Sequence, residues 1–231
     1  MNTLNKVLST AALATVCFTL SINSASAVTL WNEDINGDLS DNGLAPTNVG
    51  TLQVGTNSLK ATFNAGTTNP SPDYFTFKIP KGLALKDIIL NSWSPLDEDI
   101  AFFAVQQGSI FDFVVPPNRD NAVGLLGWTH LRIAQVGTNI LPEMAASNLP
   151  PSESGFNLPA PWVPGATGFS LPLKSGEYSF WLRQGGDVNI TVEMDFNTVP
   201  VPETGLAPVV ALGLGLGGFL MKKRRKCNFT L

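Results

Sequence analysis

Tyr74-Phe75-Thr76-Phe77-Lys78-Ile79 is the stretch that decides the fold class. Phe75, Phe77 and Ile79 alternate with Tyr74, Thr76 and Lys78, the period of two that marks a half-buried β-strand. The same pattern recurs outward from it. Residues 58–63 alternate through Leu59, Ala61 and Phe63, and residues 85–93 carry Leu85, Ile88, Ile89, Leu90 and Trp93. Residues 100–106 are apolar almost throughout and suit a buried central strand. Residues 177–183 and 188–196 alternate again, and Gln184-Gly185-Gly186-Asp187 between them reads as a hairpin turn. The body sustains no 3.6-residue period, and 21 Gly and 17 Pro in the chain favour turns over helices. Many short strands between such turns predict an all-β fold, a single antiparallel β-sandwich of jelly-roll type.

Residues 115–168 break the pattern. They hold Pro116, Pro117, Pro142, Pro150, Pro151, Pro159, Pro161 and Pro164, so a long Pro-rich loop is expected, with a short strand or turn at 125–133. Binding functions concentrate in such loops. Trp128, Phe156, Trp162 and Phe169 lie in or near it and could stack on sugar rings, although covering an open end of the core is the preferred reading.

The two ends carry addresses rather than fold. Lys6, the apolar residues 7–20 and Ala25-Ser26-Ala27 form a secretory signal with a small-x-small cleavage site at Ala25 and Ala27, which predicts a mature start at Val28. At the other end stand Val201-Pro202-Glu203-Thr204-Gly205, an apolar run at 206–221, and Lys222-Lys223-Arg224-Arg225-Lys226. As a helix the sixteen-residue run would span roughly 24 Å, slightly less than a hydrocarbon core. The basic cluster behind it should stay cytoplasmic, leaving the body outside. Gly213 and Gly217 give a G-x-x-x-G spacing, read here as small residues of the tail rather than a dimer face. The expected organisation is a signal peptide and helix (1–27), a β-sandwich (28–196), a linker with the sorting motif (197–205), a transmembrane helix (206–221) and a basic cytoplasmic tail (222–231).

Residues 28–205 hold eight of the fourteen Lys and Arg and all eighteen Asp and Glu, a net charge of −10. That argues against nucleic acid as a partner. Cys17 and Cys227 both fall outside this body, so its stability rests on its core, and its 178 residues suffice for one domain.

Catalytic constellations are sparse. His130 is the only histidine, beside Trp128, and reads as structural; G-x-S-x-G and H-E-x-x-H are absent. Asp97, Glu98 and Asp99 read as a charged turn entering a strand rather than a glycosidase pair. No catalytic residue, cofactor site or metal site is expected. Calcium is the alternative weighed against this. Asp34-x-Asn36-Gly37-Asp38-x-Ser40-Asp41 sets oxygens at alternate positions, but Leu39 stands where a calcium loop wants Gly and Ala45 where it wants Glu. Asp97 to Asp99 is a second, weaker candidate. An Asp/Asn-rich surface turn is the preferred reading.

The tail resembles the PEP-CTERM sorting signal of exported bacterial proteins, through Pro202, Glu203, the apolar run and the basic end. Thr204 stands where that motif has its second Pro, and Val201 to Gly205 also resembles a sortase signal with Val for Leu. The resemblance implies processing by an exosortase-like membrane enzyme. The body resembles the bacterial pre-peptidase C-terminal domain, through Asp73-Tyr74-Phe75-x-Phe77, Pro80-x-Gly82, Asp97-x-Asp99-Ile100-Ala101-Phe102-Phe103 and Ser175-Gly176-Glu177-Tyr178-x-Phe180. Gly37-Asp38-Leu39-Ser40-Asp41 with Pro46-Thr47 is similar to the opening of cyanobacterial-type members of the sorted group. Folding roles are expected for these motifs. Asp73 should accept turn or backbone N–H bonds, Gly176 should supply a tight turn, and Tyr178 should bury its ring and bond through its hydroxyl.

The sequence thus predicts a non-enzymatic exported protein. It would be anchored in the inner membrane before processing, then held at the cell surface or in an extracellular matrix. Its role would be structural or adhesive, with extracellular polysaccharide as a partner class. Two alternatives remain open: a secreted hydrolase or its accessory domain, and a calcium-dependent adhesion module.

Overall fold

The structure, a computed structural model, describes residues 27–63, 72–96, 99–113, 124–146, 166–184, 186 and 188–201. The expected signal peptide up to Ser26, the apolar run, the basic end and the residues expected to form a sorting motif, Pro202, Glu203 and Thr204, lie outside them. Among the described residues no helix is long and apolar enough to cross a membrane.

Strands dominate. They are β1 (Val28–Asn32), β2 (Thr47–Thr51), β3 (Gly55–Phe63), β4 (Asp73–Ile79), β5 (Leu83–Ser94), β6 (Ala101–Gln107), β7 (Gly127–Leu131), β8 (Gly176–Gln184) and β9 (Ile190–Pro200). Two short helices, α1 (Glu33–Asn36) and α2 (Leu141–Ala145), and a 3₁₀ turn at Ile133–Gln135 complete the elements. One sheet runs β1-β3-β9-β5 and the other β2-β4-β8-β6-β7.

The expectation of a purely antiparallel arrangement is corrected. β1 lies parallel to β3 and β2 parallel to β4, so both sheets are mixed. The expected hairpin is corrected too. β8 pairs with β4 and β6, whereas β9 pairs with β3 and β5, so the chain crosses from one sheet to the other between them. Turn composition announces a reversal but not which strand is the neighbour. Residues 197–200, expected as a spacer, are the end of β9, paired with β3 and β5. Val201 continues that contact by donating to the Gly82 carbonyl at 2.9 Å.

One core joins the two sheets. Leu59, Ala61 and Phe63 from β3 and Met194 and Phe196 from β9 meet Phe75, Phe77, Phe103 and Phe180 of the other sheet. Phe75 stacks on Phe180 at 5.0 Å, and Phe77 meets Phe196 edge-on at 5.2 Å. Such pairs add about 1 kcal/mol each beyond the area they bury. The continuous apolar run of β6 is explained by a second cluster on the outer face of its sheet. There Ala104 and Trp181 are covered by Phe111, Leu125 and Ala166.

The Pro-rich segment is more than a loop where it is described. It contributes β7, which pairs with β6, and α2, whose Leu141 and Met144 are buried in the main core. Tyr178 is buried and its hydroxyl donates to the Lys174 carbonyl at 2.9 Å, as expected. Gly176, expected to supply a tight turn, instead opens β8 and pairs with Ile79. A Cβ there would stand 3.2 Å from the Tyr178 ring, so glycine leaves room for the ring to fold back.

Candidate metal centre

The alternation that buries Phe75, Phe77 and Ile79 also governs the first residue of β4. Asp73 occupies the same inward phase and is 0 % exposed. Against expectation it accepts no N–H bond. Neither carboxylate oxygen has a hydrogen-bond partner. Buried carboxylates without partners are costly, so an orphan of this kind calls for an explanation.

Two more carboxylates converge on it from the N-terminal segment. Asn32 caps α1 by accepting from the Asp34 N–H at 3.0 Å, and its own N–H donates to the Asn36 side chain at 3.0 Å. Gly37 follows at φ 86°, a conformation that favours glycine, and its carbonyl accepts from Trp31 Nε1 at 3.0 Å. This tight coil turns Glu33 back on its own chain. Its Oε1 accepts from the Leu39 N–H at 3.2 Å, and its Oε2 accepts from the Thr62 N–H near the end of β3. Leu39 plugs into the core, and Ser40 bridges to β4 by accepting from the Tyr74 N–H at 2.7 Å. Asp38, one residue before Leu39, is thereby brought to Asp73, one residue before Tyr74. One oxygen each from Glu33, Asp38 and Asp73 lie within 4.8 Å of one another.

Electrostatics follow from the geometry. Burial first, then the charges of Glu33, Asp38 and Asp41, push the Asp73 carboxyl up to about 8. All three of these charges are negative. Glu33 is also raised, chiefly by burial. Its bonds from Thr62 and Leu39 oppose that shift, and Asp38 and Asp34 add to it. A hard cation would relieve both groups, since carboxylate oxygens are its preferred ligands.

The residues singled out in the sequence divide. Asp38 of the acidic stretch joins the cluster. Asp34 instead pairs with Lys60 on the exposed side of β3, Asn36 is used in the α1 coil, and Ser40 is used in the bridge to β4. The alternate-position reading therefore does not describe a loop that closes on itself. Glu33 was missed because its approach depends on the Leu39 plug and on β3. Asp73 was legible, since alternation carried back one step from Phe75 places an acid inward.

Other candidates settle into packing. Asp99 accepts from Gln184 Nε2 at 3.0 Å, and Asp97 and Glu98 lie outside the described residues. His130 sits between rings, 5.9 Å from Phe102 and 5.3 Å from Trp128; burial and then Arg132 lower its pKa. Two of the four aromatics weighed for sugar stacking pack on different clusters. Trp128 packs on the outer cluster and Phe169 on the main core, while Phe156 and Trp162 lie outside the described residues. Ala27 is exposed just before β1, and Ala25 lies outside the described residues. Val201 is 37 % exposed at the end of β9.

No protein-family model matches this chain, and neither a curated protein nor a solved structure matches it significantly.

Proposed function

We propose that the chain is an exported, non-enzymatic display protein. Its two sheets form a β-sandwich of jelly-roll type that is carried to the membrane by its tail and held there or at the surface. The observation that carries this reading is the join between domain and tail. Pairing of β9 runs to Pro200, and Val201 still bonds to Gly82. Pro202, Glu203 and Thr204 follow at once, then the apolar run and the basic end. Strand pairing that reaches the residues just before such a motif suits release or transfer of the whole unit by one cut. The PEP-CTERM resemblance assigns that cut to an exosortase-like enzyme. The body would then act in the envelope or in an extracellular polysaccharide matrix, structurally or by adhesion.

The surroundings of His130 support the non-enzymatic part. Its ring is wedged edge-on against Phe102 and Trp128, and a neighbouring guanidinium disfavours its charged form. That is a packing environment rather than that of a base poised beside a nucleophile.

Mass spectrometry of the terminal peptides of natively exported protein tests the proposal. A mature N-terminus at Val28 and a C-terminus between Pro202 and Gly205 are expected. An intact chain ending at Leu231 would contradict it, and a cut between Thr204 and Gly205 would point to a sortase instead.

A further inference from the structure

The geometry points to a calcium site formed by Glu33, Asp38 and Asp73, which ties the N-terminal segment to β4. This inference is independent of the tail and of any sorting step.

Three acids in one place would not suffice, because acidic clusters are common on surfaces. Asp73 supplies the second observation. It is fully buried, both its oxygens lack hydrogen-bond partners, and it faces the other two carboxylates. A fold stabilised only by its core would place an apolar residue or a partnered amide there. Among the described residues, no Lys or Arg answers this charge. Lys60, on β3 of the other sheet, is engaged by Asp34.

Spacing suits calcium. Ligand oxygens on one ion can stand no farther apart than twice the metal–oxygen distance, about 4.6–5.2 Å for Ca²⁺ and about 4.0–4.2 Å for Mg²⁺. The three oxygens, all within 4.8 Å of one another, are close enough for one calcium ion to reach. Each Glu33 oxygen accepts one backbone N–H bond, leaving a further lone pair on each for an ion. Asp38 is exposed, so water can complete the six to eight ligands that calcium takes. Glu33 belongs to α1, Asp38 to the turn before Leu39, and Asp73 to β4. An ion there would join three separate stretches of chain and hold the Leu39 plug in the core. With one exposed and one half-buried ligand, affinity should resemble that of extracellular modules, about 10⁻⁴–10⁻³ M.

The test uses the full chain in mild detergent, with CaCl₂ titrated to about ten times the upper affinity limit against an EGTA reference. Terbium is the optical probe, sensitised by Trp31 and Tyr74, which flank the site in sequence. Calcium should raise Tm by at least about 3 °C at the highest dose, and terbium emission should appear and be displaced by calcium. Asp73→Asn should abolish both responses while melting no lower than the parent in EGTA. Asp38→Asn, an exposed position, should weaken calcium binding at least about tenfold while melting no lower than the parent in EGTA. Asp34→Asn should keep the full response. The inference is overturned if the parent shows neither a calcium-dependent Tm nor terbium emission. A calcium response undiminished in both Asp73→Asn and Asp38→Asn would also overturn it.

Discussion

Asn57 in β3 and Asp73 in β4 both take the inward phase of their strands, and both are fully buried. Asn57 is saturated. Its Nδ2 donates to the carbonyls of Gln53 (2.9 Å), Gly55 (3.1 Å) and Phe196 (3.0 Å), and its Oδ1 accepts from the Gln53 N–H at 2.7 Å. Asp73 accepts from nothing. The amide therefore has a complete folding role. It joins the turn before β3 to the middle of its sheet, and nothing remains for a ligand to satisfy. The carboxylate has no folding role that its surroundings reveal. Its neighbours are other acids, which is the environment a cation needs and a folding contact does not.

The largest effect should come from making the first site like the second. Asn57→Asp removes both N–H donors of the amide and sets a carboxylate against three carbonyls. A loss of about 3 kcal/mol or more in urea denaturation is expected. A change below about 1 kcal/mol would mean that the saturated network is not what holds this end of the core.

The reverse change at the second site should have the opposite sign. With EGTA at neutral pH, Asp73→Asn should raise stability by about 1–4 kcal/mol, since a neutral amide replaces a buried, crowded acid. The pH dependence sharpens this. With the folded carboxyl at about 8 and the unfolded one near its ordinary value, the folded state keeps a proton that the unfolded state releases. The metal-free protein should therefore be most stable at low pH in this respect, losing stability as pH rises from about 4 to about 8. Asp73→Asn should flatten that decline. Equal slopes for parent and variant over this window would remove Asp73 as its cause.

Smaller effects bound the comparison. Tyr178→Phe deletes one bond to the Lys174 carbonyl from a ring that stays buried, so about 1 kcal/mol should be lost. Asp34→Asn breaks an exposed pair with Lys60, and no measurable change in Tm is expected.

The β4 reading shows how far the sequence reaches. Strict alternation located the buried Phe75, Phe77 and Ile79, and the same count, carried back to Asp73, marks the inward acid. What local pattern cannot supply is the partner. Glu33 and Asp38 reach Asp73 through the Ser40–Tyr74 bridge and the Thr62 contact, which join residues far apart in sequence. The parallel pairs were hidden for the same reason. Alternation identifies β1 and β2 only weakly, and nothing in a turn states whether the next strand returns beside it. β8 and β9 illustrate this, since a turn suited to a hairpin separates strands of different sheets.

Crystals of the calcium-loaded protein, with anomalous diffraction to locate the ion, test the central claim most directly. The account predicts one anomalous peak about 2.3–2.6 Å from carboxylate oxygens of Glu33, Asp38 and Asp73. No peak there at saturating calcium, with the Asp73 carboxyl bonded instead to ordered water or to a protein group, would contradict it.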